Sequence, residues 1–139
     1  DTVSVNMSLE IPGLATRSGS RLFLRPNLME QWTSVPPAVE NRTQPVVFAY
    51  AFVREDSIVY RLPDRFEVEA LPRAVDRVTS FGRYRSRVVL DENEGTLTYT
   101  RLLRIDNAEI PAESYDEVIE FFAGVAKADG RQAVLKRAS

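Results

Sequence analysis

The chain has 139 residues, enough for one domain with a single core. Its 44% hydrophobic and 27% charged residues are an ordinary globular composition, and 18 basic against 20 acidic residues leave a net charge of −2, which argues against a general nucleic-acid-binding face. It contains neither Cys nor His, which excludes disulfides, Cys/His zinc sites and nucleophile–histidine arrangements within these residues.

The first residues, Asp1-Thr2-Val3-Ser4-Val5, carry no basic start, no continuous apolar run and no initiator Met. They do not read as a signal peptide, and the expectation is a piece of a longer protein with neighbours upstream. No apolar run approaches the roughly 20 residues of a membrane helix. Residues 2–11 alternate strictly, with Val3, Val5, Met7, Leu9 and Ile11 on one side, and predict a half-buried strand ended by Pro12-Gly13. A short strand, Arg21 to Arg25, follows.

Residues 26–45 have no sustained period and are punctuated by Pro26, Pro36, Pro37 and Pro45. They nonetheless carry Leu28, Met29, Trp32 and Val35, a candidate contact surface for another domain. The alternative is that Trp32 folds back to plug the domain's own core. Val46 to Val53 is apolar on both faces and predicts a strand covered on both sides, with Ala49 and Ala51 admitting a helix closely. Short strands follow at Ile58–Tyr60 and Phe66–Ala70. Phe81–Leu90 and Thr96–Ile105 predict a long hairpin around the polar turn Asp91–Gly95.

The period then changes. Tyr115, Val118, Ile119, Phe122, Val125 and Ala126 form the apolar stripe of an amphipathic helix. Pro111 suits its first turn, Ser114 with Glu117 offers a capping box, and Gly130 marks its end. Ala133–Lys136 reads as a last strand. These elements predict a mainly β fold, an antiparallel β-sandwich-like domain of seven or eight strands with the helix packed on a sheet. A two-layer α+β sheet is the alternative.

Only carboxylates, Lys, Arg, Tyr and Ser/Thr remain for chemistry. Arg83, Arg85 and Arg87 alternate along one strand as a cationic stripe, either a binding surface for an anionic partner or a solvated face paired across strands with Glu67 and Glu69. Glu67 and Glu69 lie two apart on an Arg-balanced face and do not suggest a glycosidase cleft. Asp91, Glu92 and Glu94 lack the spacing of a calcium loop. Arg101 falls on the apolar face of its strand and needs either a buried acceptor or a route past the core edge. Asn6-Met7-Ser8 and Asn41-Arg42-Thr43 match the glycosylation tripeptide and are read as chance matches. No catalytic, cofactor or metal residue is expected.

Several segments together carry a resemblance: Arg21-Leu22-Phe23-Leu24, Arg42-Thr43-Gln44-Pro45, Tyr60-Arg61-Leu62-Pro63, Phe66 through Pro72, Phe81-Gly82-Arg83-Tyr84, Thr100-Arg101, Pro111 through Tyr115, Phe121-Phe122, Ala128-Asp129 and Val134-Leu135. In this order they resemble the C-terminal domain of unknown function that follows a transglutaminase-like core in exported bacterial multidomain proteins. The resemblance implies a single accessory domain over residues 1–139, with a catalytic domain upstream whose Cys, His and Asp have no counterpart here. The missing nucleophile and general base predict a non-enzymatic role, read as docking against that domain or presenting substrate to it, and the resemblance implies the periplasm or the cell surface. The second reading is an extracellular glycan- or peptide-binding module using Trp32 and the arginine stripe. A carboxylate-based hydrolase is the third.

Overall fold

The computed structural model describes residues 4–8, 13–28, 31–32, 35–37, 42–48, 51–106 and 109–138. Along them run strands β1 (Thr16–Ser18), β2 (Arg21–Leu24), β3 (Val46–Val47), β4 (Phe52–Arg61), β5 (Phe66–Ala70), β6 (Val75–Val78), β7 (Gly82–Asp91), β8 (Thr96–Ile105) and β9 (Glu109–Ile110). A single 3-10 turn, helix α1 (Tyr115–Asp129) and strand β10 (Ala133–Arg137) complete the chain. All pairings among the described residues are antiparallel. The fold is mainly β with one C-terminal helix, as the patterning predicts.

The hairpin of β7 and β8 is the spine. Its strands stay in register from Asp91↔Thr96 to Gly82↔Ile105. The turn closes because the Gly95 N–H donates to the Asp91 carbonyl at 2.9 Å and the Glu94 N–H to Asp91 Oδ1 at 3.1 Å. Gly95 sits at φ +66°, a conformation that suits glycine. At the other end Gly82 lies so close to β8 that a Cβ would stand 2.2 Å from the Arg104 carbonyl oxygen. β4 pairs with β8 along ten residues and β6 with the start of β7, giving a long sheet in the order β4-β8-β7-β6. A second sheet, β1-β2-β10-β5, and the short pair β3–β9 complete the framework.

The inner face of the long sheet is covered in two halves. Toward the Gly82–Ile105 end, α1 lays Val118, Phe121, Phe122 and Val125 on Phe81, Tyr84, Leu103 and Ile105. Toward the hairpin turn, Leu24, Ala133 and Leu135 of the second sheet meet Leu97, with Tyr60, Phe66, Val88 and Leu90 packed around them. At about 25 cal/mol per Å² of apolar surface, these two clusters supply the main driving force for folding.

Several expectations are corrected. Residues 4–8 form no strand, and Val5 and Met7 are exposed. Thr2–Val3 and Leu9–Ile11 lie outside the described residues, and residues 4–8 pair with no strand among those described: alternation marks a face to be buried, but a strand also needs a ladder. The predicted Val46–Val53 strand is two strands, β3 and β4. It is not covered on both sides, since Val47 is 70% and Val53 58% exposed. Phe48 and Phe52 face the core instead. Ile58–Tyr60 belongs to the ten-residue β4. The Ser114 side chain makes no capping bond, and Pro111 precedes the 3-10 turn rather than opening α1. The buried helix stripe also takes in Phe121 and Asp129, while Ile119 and Ala126 are only half-buried. No helix among the described residues is long and apolar enough to cross a membrane.

Candidate functional site

Arg101 is the residue whose surroundings the pattern left open. Its side chain is fully buried, at the seam between the two covered halves. The acceptor is Asp129, the last residue of α1, which is also fully buried. Arg101 Nε donates to Asp129 Oδ1 and Nη2 to Oδ2, both at 2.8 Å, a bidentate pair. Two further donors fill the carboxylate: the Tyr84 hydroxyl to Oδ1 at 2.7 Å and the Trp32 N–H to Oδ2 at 2.9 Å. Asp56, facing Arg101 across the β4–β8 ladder, approaches Nη1 to 3.7 Å.

Burial works against the Arg101 charge, but the bonds and charge of Asp129 overcome it and hold its pKa above the usual value. Tyr84 is pushed up to about 12, chiefly by burial. Tyr99 is pushed up further, again chiefly by burial, with Tyr84 and Asp129 adding to the shift. Arg101 therefore stays charged, and Tyr84 and Tyr99 stay protonated, at neutral pH. With four donors on the carboxylate, the centre is built to join helix, sheet and the Trp32 segment rather than to move protons.

That segment is fastened to the domain at several points. The Trp32 ring stacks on Phe122 at 4.8 Å. The Tyr60 hydroxyl donates to the Pro26 carbonyl at 2.6 Å, the Tyr115 hydroxyl to the Pro37 carbonyl, and the Arg42 guanidinium lies over the Tyr115 ring. Of the candidate contact residues, Trp32 thus lies half-buried on the core, in the arrangement expected of a plug. Leu28 is half-buried, Val35 is 40% exposed, and Met29 lies outside the described residues. Phe122 meets Trp32 and, at 5.9 Å, Phe48. Of the small-residue face expected beneath it, Ala51 is exposed and Ala49 lies outside the described residues.

The arginine stripe lies on the opposite, outer face of the long sheet, because Tyr84, Ser86 and Val88 alternate inward. Its neighbours follow from the register. Val53, Arg104, Arg83 and Val78 form one row; Glu55, Leu102, Arg85 and Asp76 the next; Ser57, Thr100 and Arg87 the third; Val59, Thr98 and Val89 the fourth. Arg83 makes two bonds to Asp76, at 2.9 and 2.7 Å, which hold the Asp76 carboxyl below its ordinary pKa. The expected pairing with Glu67 and Glu69 does not occur, because those residues belong to the other sheet, where Glu69 bonds Arg21 at 2.6 Å and Glu67 lies 3.5 Å from Lys136. Arg85 and Arg87 make no hydrogen bond or ion pair among the described residues. Trp32 and the stripe are on different sides of the sheet, so the structure does not bring them into one site.

Asp129 is the residue that pattern reading missed. The signal was present: it continues the helix stripe one turn beyond Val125, a carboxylate on an apolar face, and Arg101 is a cation on an apolar strand face. Among the described residues no group of His, Cys, Asp and Glu is arranged to hold a metal ion.

The model of DUF3858, a domain of unknown function, matches residues 20–135. No curated protein matches the chain. Among solved structures, the chain is similar to one described as a "putative protease" from Parabacteroides distasonis ATCC 8503, with a TM-score of 0.58 at 10% identity. That match covers 71% of this chain and 19% of the other, a likeness of fold in which this chain corresponds to about a fifth of a longer protein.

Proposed function

We propose, because this chain belongs to DUF3858, a family of domains of unknown function, that it works as a non-catalytic accessory domain docked on a transglutaminase- or protease-like domain upstream in a longer, exported bacterial chain. The observation that carries this reading is the outer face of the long sheet, which no other element among the described residues covers. Val53, Val59, Val78 and Val89 are 58%, 64%, 68% and 43% exposed there, beside Arg85 and Arg87. Exposed apolar area of this kind, mixed with exposed cations, suits an interaction surface. The partner surface it fits is apolar with acidic groups opposite the two arginines. A second copy related by a two-fold axis would tend to set arginine against arginine, which disfavours self-association through this face. The fold also recurs as a minor part of a longer chain described as a "putative protease", which supports an appended role. Thiol-based catalysis in such a protein would have to come from residues outside this chain, which has no Cys.

Covalent footprinting tests the reading. Arg85 and Arg87 are labelled with an arginine-selective dicarbonyl reagent in the 139-residue chain and in the longer natural protein, and the modification is read by mass spectrometry. Strong labelling in the first and protection in the second is expected. Equal labelling in both would remove the docking role from this face.

A further inference from the structure

The long sheet ends on an open edge. β4 is its outermost strand, ten residues paired on one side with β8 and on the other with no strand among the described residues. The direction of its backbone groups follows from the register. The Leu62 N–H donates to the Gly95 carbonyl at 2.9 Å, one step beyond the Arg61↔Thr96 pair. Hydrogen-bonded and non-hydrogen-bonded pairs alternate along an antiparallel ladder. The even-numbered residues of β4 therefore bond β8, while Val53, Glu55, Ser57, Val59 and Arg61 turn their N–H and C=O groups to the open edge. Their side chains are exposed on the outer face.

Sheet edges are commonly blunted by a proline, a bulge or a very short strand. β4 has none of these: it contains no proline, and its register with β8 runs unbroken from Phe52 to Arg61. Its guards are charges, Arg54, Glu55, Asp56 and Arg61, and their order decides which strand can join. Two copies of β4 meeting antiparallel about a two-fold axis would pair their edge-facing residues with one another. With Ile58 opposite itself, Glu55 falls opposite Arg61 of the second copy and Ser57 opposite its Val59, each twice by symmetry. Asp56 then faces Tyr60 and Arg54 faces Leu62, so no like charges meet. The neighbouring registers are worse. Ser57 opposite itself brings the two Asp56 side chains into diagonal contact, Asp56 opposite itself sets them face to face, and Glu55 opposite itself does the same to the two glutamates.

We propose that β4 is a homodimerisation edge: two copies of this chain pair their β4 strands antiparallel with Ile58 at the two-fold axis, joining the two long sheets into one, with reciprocal Glu55–Arg61 pairs on either side of the axis. The main-chain bonds supply the attachment and the charges fix the register. Ile58 and Tyr60, half-buried at the rim, gain cover from the second copy. Pro63, opposite Val53 in this register, has no N–H to donate and ends the ladder. An extended segment of another protein would satisfy the same backbone groups, but a second copy brings the complementary charges in its own sequence. The contact uses the edge of the sheet rather than Arg85 and Arg87, so its failure leaves the docking reading standing, and the footprinting result leaves this one standing.

The test is sedimentation equilibrium of the 139-residue chain at neutral pH, from dilute to concentrated solution. A reversible monomer–dimer equilibrium is expected. Glu55→Arg and Arg61→Glu each set like charges across both reciprocal rows and should raise the dimer Kd about tenfold. The double variant Glu55→Arg/Arg61→Glu restores opposite charges in the same rows and should return the Kd to near that of the parent. Ser57→Pro removes an edge-facing N–H without touching the ladder to β8 and should abolish the dimer. All three positions are exposed, melting curves verify each fold, and the charge exchange decides the matter should Ser57→Pro fail to fold. A chain that stays monomeric at every concentration would overturn the proposal. So would a dimer indifferent to the single reversals, or one that the double exchange does not restore.

Discussion

The two halves of the core solve one problem with different materials. Where α1 covers the long sheet the filling is aromatic: Phe81 and Phe121 meet edge to face at 5.3 Å, Phe121 and Phe122 at 5.1 Å, and Trp32 stacks on Phe122. Where the second sheet covers it, the buried residues are Leu24, Leu97, Ala133 and Leu135. A cylinder on a sheet touches along a line and leaves grooves at its sides, which large rings, Trp32 and Phe48 among them, fill. Two sheets meet face to face, so aliphatic side chains interdigitate at the centre and the rings there, Tyr60 and Phe66, stay half-buried around them. At the seam neither cover closes fully, and there the buried ions lie.

The largest effect should come from the seam, which holds both halves. Asp129→Ala leaves Arg101 buried without its bidentate partner and removes the acceptors of Tyr84 and Trp32. Breaking one side of a buried pair costs about 3–5 kcal/mol. Chemical denaturation of the variant is expected to show a loss of that size, and the double variant Arg101→Met/Asp129→Leu should recover part of it. A loss below about 1 kcal/mol for Asp129→Ala would mean that the seam is wet and each half stands alone.

The second comparison is between the halves. Phe122→Ala removes the ring shared by Trp32, Phe48 and Phe121 and should cost about 3–5 kcal/mol. Leu135→Ala, in the sheet-covered half, falls in the range of about 2–5 kcal/mol. With no shared partner, the two losses should add to within about 0.5 kcal/mol in the double variant. Strong non-additivity in denaturation midpoints would show that the halves respond as one body.

The smallest effect is on the alkaline side. Tyr60, which bonds Pro26 beside the sheet-covered half, and Tyr84, at the seam, have pKa values raised from 10 to about 12, chiefly by burial. A raised folded pKa contributes stability that is fully present below the unfolded value near pH 10 and is lost as pH rises through about 12. The denaturation midpoint should therefore fall between pH 10 and 12. Tyr60→Phe and Tyr84→Phe should each flatten that fall relative to the parent chain. A parent chain with no decline over this window would contradict the burial of both hydroxyls.

Local pattern carried the elements whose periods are strong and whose partners are near in sequence. The β7–β8 hairpin is legible because its strands alternate and its turn is polar with a glycine. Helix α1 is legible because its apolar residues recur at helical spacing. β6 was not legible: Val75–Val78 is four residues long, with Val75 half-buried and the rest exposed, and only the edge of β7 makes it a strand. The failure at residues 4–8 is the reverse case, alternation without a neighbour to pair with.

The site divides in the same way. The arginine stripe was visible as an alternation, and the inward turn of Arg101 followed from its place between Tyr99 and Leu103. The identity of the Arg101 partner was not, since Asp129 is 28 residues away and reaches it only when α1 folds back across the sheet. Likewise Glu67 and Glu69 seemed natural partners for the stripe by distance along the chain, yet they joined β10 and β2 in the other sheet. By itself the sequence determined which segments are strands or helix and which of their faces are apolar, because those properties arise from residues one to four positions apart. Only the tertiary structure decided what covers each face, which charges meet and which arginines stay exposed, because those contacts join residues that the chain alone keeps far apart.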